Sequence, residues 1–213
     1  MERQGEEISN IEQVMLKKIV ILGPESTGKS TLCEQLAQHY RMQWCAEFAR
    51  EYLMTNGTDY TFDELLTIAK GQLAMEDEYT ANVKSQWSLS DENTWVNPHS
   101  LHTSEHSPLL FIDTDMYVMK VWCEYVFGKC HQFILDQIVE RKYDLYLLCK
   151  NDLPWVKDEL CEYPDEKNRN ELFHIYKDLL INQNVPWVEI SGGYEDRLLV
   201  AIDAVEEYLQ GKS

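Results

Sequence analysis

The sequence predicts an α/β fold, a parallel five-stranded sheet with helices on both faces. Three observations lead there. From Lys17 onward, short apolar runs rich in β-branched residues alternate with longer amphipathic stretches, the pattern of strands joined by crossover helices. The first run ends in a glycine that opens a loop matching G-x-x-x-x-G-K-[ST] without a mismatch, at Gly23, Gly28, Lys29 and Ser30. The length, 213 residues, suits one α/β domain with enough chain for a substantial core.

Residues 1–16 are polar and read as a frayed or weakly helical lead-in; residues 17–213 read as one domain without internal repeats. Ile19, Val20, Ile21 and Leu22 form the first buried strand. Leu32, Cys33, Leu36, Ala37 and Tyr40 then repeat at helical spacing over Lys29–Arg41. "QWCAEFAREYL" reads as a short strand turning into a helix near Glu47. The long stretch "TFDELLTIAKGQLAMEDEYTANVKSQ" is a further helix, with Thr61 at its N-cap and Glu64 three residues on, the capping-box spacing. Trp87–Ser107 has no period and is dense in Ser, Asn, Asp, Thr and His, which predicts a long surface loop. It carries His99, His102 and His106, but no cysteine or carboxylate completes a tetrahedral zinc spacing. "PLLFIDTD" is a buried strand ending in acids, and helices follow in "MYVMKVWCEYVFG" and "CHQFILDQIVERK". "YDLYLLCK" is another buried strand, and the chain then loops into a helix that starts near "PDEKNRNEL". "VPWVEISG" is the last strand and "YEDRLLVAIDAVEEYLQ" the closing amphipathic helix.

The glycine loop explains its own spacing. Glycines let backbone N–H groups approach phosphate oxygens without a Cβ in the way, and the following helix turns its positive N-terminal end to the same anion. Gly23, Glu25, Ser26, Thr27, Gly28, Lys29, Ser30 and Thr31 are therefore the candidate nucleotide-binding residues. Lys29 is placed to reach the β- and γ-phosphates and Ser30 to offer a hydroxyl to Mg²⁺. This is the P-loop NTPase arrangement, with ATP and Mg²⁺ as the expected ligands.

Charge removes several partners. The formal net charge is −18, which repels nucleic acid and anionic membrane. No stretch reaches the roughly 18 apolar residues of a membrane span. The N-terminal "MERQGEEISNIEQ" lacks a basic-then-apolar signal pattern. The six cysteines show no C-x-x-C pair, so they read as small hydrophobes in a reducing cytoplasm.

Phosphoryl transfer also needs a metal-holding carboxylate, a group that orients or deprotonates the acceptor, and cations over the migrating charge. Asp113, at the end of a buried strand, faces the ligand crevice and is the natural Mg²⁺ partner. Asp115 is either a group reaching a substrate hydroxyl or a helix N-cap. Glu47 and Arg50 follow the second strand, where a carboxylate can accept a 5′-hydroxyl proton and an arginine can hold phosphate oxygens; an i,i+3 surface pair fits them as well. Lys167 and Arg169 read either as lid cations over the γ-phosphate or as an ordinary solvated helix start.

"GPESTGKSTL", "AEFAREYL", "IAKGQ", "FIDTD" and "PWVKDEL…EKNR" occur in that order. Together they resemble the nicotinamide riboside kinase domain of the NadR-type proteins, a P-loop, AAA-like ATP-binding family, over about residues 17–209. The resemblance implies a fold like that of the nucleoside and nucleotide kinases, and transfer of the ATP γ-phosphate to the 5′-hydroxyl of nicotinamide riboside. It puts Lys29 and Ser30 on phosphate and Mg²⁺, Glu47, Arg50, Asp113 and Asp115 at the acceptor, and Lys167 and Arg169 in a lid. Three departures stand out. Bifunctional relatives carry an adenylyltransferase domain ahead of the kinase, whereas at most 16 residues precede the first strand here. Many relatives have an arginine at the position of Cys161. Some place an aromatic residue at the position of Ala46, so ring-gripping falls to Trp44, Tyr52, Tyr60 or Phe62.

The expected enzyme is a small-molecule kinase with a nucleoside acceptor. Another nucleoside kinase, and an ATP-binding regulator or slow ATPase with a protein partner, stay open, as does self-association into a homo-oligomer.

Overall fold

The computed structural model describes residues 15–89, 107–155 and 165–211. Five strands, β1 (Lys17–Leu22), β2 (Gln43–Cys45), β3 (Leu109–Asp113), β4 (Leu145–Cys149) and β5 (Trp187–Ile190), form one sheet in the order β2-β3-β1-β4-β5. Every pairing is parallel. Seven helices are described: α1 (Lys29–Tyr40), α2 (Phe48–Asn56), α3 (Phe62–Leu89), α4 (Met116–Phe127), α5 (Gln132–Glu140), α6 (Glu166–Ile181) and α7 (Tyr194–Leu209). The predicted parallel, doubly covered sheet is borne out.

The side-chain alternation of a strand divides the core into two layers. On β1, Ile19 and Ile21 pack with Leu32, Cys33 and Leu36 of α1 and with Ala201 and Val205 of α7. Val20 and Leu22 point the other way, into a layer holding Val83 of α3, Val118 and Val121 of α4, and Leu172, Phe173 and Tyr176 of α6. Both faces of the sheet are dry, which is why β1, β3 and β4 read as continuous apolar runs rather than alternating ones. A third cluster joins α2 to α5 through Ala49, Leu53, Leu65, Ile68, Met116, Met119 and Ile134.

Several local expectations hold. The Thr61 backbone N–H donates to Glu64 Oε2 at 2.8 Å, and the Glu64 N–H donates back to Thr61 Oγ1 at 3.4 Å. These bonds close the capping box of α3. Cys33, Cys45, Cys123 and Cys149 are buried free thiols and Cys130 is half-buried. At the start of the segment read as a loop from about residue 87, α3 runs on to Leu89. The first Asp and Asn after Trp87 are Asp91 and Asn93, so no turn-forming acid or amide stands where the helix continues. Residues 90–106 of that segment, with His99, His102 and His106, lie outside the described residues, as do residues 1–14 and Cys161. Among the described residues no helix is long and apolar enough to cross a membrane.

Register fixes where chemistry can happen. Ile21 lies beside Asp113 on one side, and Leu22 beside Leu148 on the other. The chain leaves β1 between its two neighbours, where the strand order reverses. In an open α/β sheet that point, beyond the carboxyl ends of the strands, is the ligand crevice.

Candidate active site

A cleft of about 520 Å³ opens there. The phosphate loop from Gly23 to Thr31 forms its floor, Glu47 and Arg50 one side, and Trp44, Trp122, Tyr125 and Tyr176 an aromatic wall. The loop's shape depends on its glycines. At Gly23, with φ of 147°, a Cβ would lie 2.5 Å from the Cys149 carbonyl oxygen. Gly28 has φ of 77° and Ser26 φ of 54°, left-handed conformations that turn the backbone into a cradle. Thr27 is fully buried, and its hydroxyl donates to the Pro24 carbonyl at 2.8 Å. Lys29 Nζ donates to the same carbonyl at 3.0 Å. Burial alone would lower the Lys29 pKa, but the carboxylates of Glu47 and Asp113 outweigh it and raise it. The ammonium stays charged.

Asp113 is fully buried at the end of β3 and accepts a 2.5 Å hydrogen bond at Oδ2 from the Ser30 hydroxyl. A hydroxyl and a carboxylate side by side at a phosphate loop are the oxygen donors that suit Mg²⁺, which takes one or two protein groups and completes its shell with water and phosphate. No group of three or more His, Cys, Asp or Glu that could hold a metal occurs among the described residues. The fit to Mg²⁺ therefore rests on Ser30 and Asp113 together with a nucleotide. Burial raises the Asp113 pKa, against the pull of Lys29 and the Ser30 hydrogen bond.

The two acids of "FIDTD" separate at Thr114, whose φ of 78° is strained for a β-branched residue. The turn leaves Asp113 on the loop and swings Asp115 onto α4. There Asp115 is the N-cap: Oδ1 accepts from the Tyr117 and Val118 N–H groups at 3.0 and 3.3 Å, and Oδ2 from the Tyr146 hydroxyl at 3.2 Å. It is 1% exposed and does not line the cleft. Of the two places the sequence left open for Asp115, the structure shows the cap on α4.

Glu47 behaves in the opposite way. It too occupies an N-cap position, that of α2, yet its side chain makes no capping bond. It is half-buried in the cleft wall. Burial first, then the Asp113 carboxylate, pushes its pKa up to about 7, while Lys29 pulls it down. A carboxyl that titrates near neutrality in a cleft is suited to accept a proton. Arg50, one turn along α2, lines the same side.

The remaining candidates divide. Trp44 lines the cleft as expected, but Tyr60 does not. Tyr60 stands behind Trp122, with its hydroxyl accepting from Trp122 Nε1 and its ring edge-on at 5.1 Å. Tyr52 donates to Glu64, and Phe62 stacks on His131 at 3.7 Å, so neither belongs to the wall. Lys167 is exposed, whereas Arg169 is 5% exposed on α6, one turn before Leu172. The Nε and Nη1 atoms of Arg169 make no hydrogen bond among the described residues. Arg169 does not line the cleft. Sequence reading missed Trp122, Tyr125 and Tyr176. Val118, Val121, Trp122 and Tyr125 do recur at i, i+3, i+4 and i+7, a stripe that reads as core until the cleft is seen beside it.

Known proteins share this sequence pattern and this fold. The trifunctional NAD biosynthesis/regulator protein NadR of Escherichia coli (strain K12) is 24% identical over 206 residues, covering 94% of this chain and 45% of its own length. The chain thus spans about half the length of the curated relatives it matches. A crystal structure of NadR protein in complex with NR superposes with a TM-score of 0.68 at 23% identity, covering 90% of this chain and 49% of that one. Thymidylate kinase from Ehrlichia chaffeensis shares the fold at a TM-score of 0.54 and 12% identity, covering 89% and 98%. The likeness to NadR-type proteins read from the motifs is borne out in sequence and fold. The AAA domain family matches residues 18–98 and 96–197, from the phosphate loop through the last strand, and with both halves of the sheet inside that match the chain belongs to this family.

Proposed function

We propose that the chain is an ATP-dependent kinase that transfers the γ-phosphate to the 5′-hydroxyl of nicotinamide riboside, giving nicotinamide mononucleotide. The observation that carries the reading is one continuous cleft that joins a phosphate loop to a carboxyl tuned near neutrality and an aromatic wall. Such a cleft has room for a phosphoryl donor beside a flat-ringed acceptor, which is what direct transfer between them requires.

Each residue then has a task. The loop amides and Lys29 hold the β- and γ-phosphates, and Lys29 offsets the charge that spreads over the transferred group. Ser30 and Asp113 would hold Mg²⁺, which when bound neutralises part of the phosphate charge. Glu47 accepts the proton of the attacking hydroxyl, and Arg50 steadies phosphate oxygens on the acceptor side. Arg169 supplies a further guanidinium from the face of α6 that also bears Tyr176. A pyridinium nucleoside carries a positive ring, which suits aromatic faces and an acidic surround. The NadR complex with NR supports this acceptor by likeness.

The test is a coupled ADP-release assay with ATP and Mg²⁺, comparing nicotinamide riboside with uridine, cytidine, thymidine and no acceptor. The expected result is a rate that depends on the riboside. Lys29→Ala is expected to lower kcat by about two orders of magnitude or more, the scale of losing a main electrostatic contact to the transition state. A rate higher with a pyrimidine nucleoside would reassign the acceptor. ATP turnover indifferent to every nucleoside would point instead to a regulator or slow ATPase acting with a protein partner.

A further inference from the structure

We infer that Gln72 is a positioning residue for Glu47, holding both peptide groups that flank the acid and tying them to the backbone of Asp113; the inference rests on the kinase reading of Glu47. Gln72 lies in the middle of α3 and is 1% exposed. Its Oε1 accepts from the Phe48 N–H at 2.7 Å. Its Nε2 donates to the Ala46 carbonyl at 3.3 Å, to the Asp113 carbonyl at 3.5 Å and to Cys45 Sγ at 3.7 Å. The orientation of the amide is chemically determined, because an N–H can only donate and a carbonyl can only accept.

Ala46 and Phe48 are the neighbours of Glu47 on either side. One primary amide therefore brackets the acid's backbone in both directions. The same amide touches the peptide of the other carboxylate that faces Lys29. Gln72 does not line the cleft, so its effect passes through the groups it holds.

The residue before it completes the device. A Cβ at Gly71 would lie 2.1 Å from Phe48 Cε1, so only glycine lets that ring lie against α3 while Gln72 reaches the peptide beyond it. The motif "IAKGQ" acquires a meaning its sequence alone does not state: glycine for the approach, glutamine for the grip. The grip is needed because Glu47 forgoes capping α2, and its peptide would otherwise depend on a three-residue strand, β2, for its place.

The test uses Gln72→Met, which keeps length and removes every hydrogen bond, in the wild-type and Glu47→Gln backgrounds. With wild-type Glu47, kcat with nicotinamide riboside is expected to fall about 10- to 100-fold, as a misplacement of about 1 Å can cost, while the KM for ATP stays within about twofold. With Glu47→Gln, the same change should cost less than about threefold, since residues acting as a unit are non-additive. An equal loss in both backgrounds would overturn the inference.

An arm free of catalysis runs beside it. Amide hydrogen exchange at Phe48 should quicken by about tenfold or more in Gln72→Met, while the amides of Ile112 and Leu65 keep their protection. Unchanged protection at Phe48 would overturn the inference whatever the kinetics. If the wild type phosphorylates no nucleoside, the kinase reading fails, and the exchange arm still decides whether Gln72 holds the Glu47 segment.

Discussion

Glu47 and Asp115 are both acids at helix N-cap positions, and burial raises both carboxyls to about 7, yet their hydrogen bonding diverges. Aspartate is short enough for its carboxylate to turn back onto the second and third N–H groups of a helix, and Asp115 does so on α4. Glutamate is one methylene too long for that geometry, and at Glu47 the carboxyl goes into the cleft instead. The sequence left these two acids as equal candidates for the acceptor's base. Side-chain length was the legible clue, and it is confirmed only where the backbone turns, at Thr114 and after β2. The consequence for catalysis has a definite sign. With its pKa near 7, Glu47 carries a proton on much of the protein at acid pH, and a base must have lost it. The log of kcat/KM for the riboside should therefore rise with unit slope as pH increases to about 7, then level off. Glu47→Gln should remove that limb along with most of the rate. A wild-type profile flat from pH 5.5 to 8.5 would show that Glu47 is not the group that accepts the proton.

At the scale of elements, α2 and α3 show what periodicity can and cannot reveal. Their existence follows from apolar spacing and from the capping box at Thr61 and Glu64. Their mutual approach does not, because a glycine inside a helix reads from sequence as a weakness of about 1 kcal/mol relative to alanine. Here Gly71 is the contact point, with the Phe48 ring in the space a side chain would fill. Gly71→Ala thus sets a gain of about 1 kcal/mol in helix propensity against overpacking of about 1–3 kcal/mol. The clash is deep enough to decide the balance. The variant should melt several degrees below the wild type, on the scale of about 1–2 kcal/mol for a domain of this size. Phe48→Leu in the same chain should recover part of the loss by clearing the space, and thermal melts of the two single variants and the double would show it. A Gly71→Ala melt at or above the wild-type temperature would mean that the ring simply swings aside.

For the molecule as a whole, the sheet order places the ends of β1, β4 and β5 in a row, and one side chain ties their loops together. Arg197 reads in sequence as an ordinary charged position on the closing amphipathic helix, with nothing nearby in the chain to suggest otherwise. In the fold it is 2% exposed. It donates through Nη1 to the Thr27 carbonyl at 2.9 Å, through Nη2 to the Lys150 carbonyl at 2.7 Å, and through Nε to the Gly192 carbonyl at 2.9 Å. The same Nη2 also pairs with Asp152. Such long-range partners, 170 residues apart in the case of Thr27, are what a local reading has no means to find. The guanidinium connects the phosphate loop to the loops after β4 and β5, so the loop's shape depends on α7. Removing it in Arg197→Met leaves three carbonyls and a carboxylate without their donor, at a cost of about 3 kcal/mol or more. Equilibrium urea unfolding would read that cost as a lowered midpoint with an unchanged slope. Because Thr27 sits inside the phosphate cradle, the KM for ATP should also rise, by about tenfold, equivalent to about 1.4 kcal/mol of lost binding. The KM for the riboside should change far less, since Glu47 and the aromatic wall belong to the other half of the cleft. A loss of stability with the KM for ATP unchanged would confine Arg197 to holding α7 on the sheet. A selective rise would show that the last helix, remote in sequence from the phosphate loop, helps set the geometry in which the nucleotide is held.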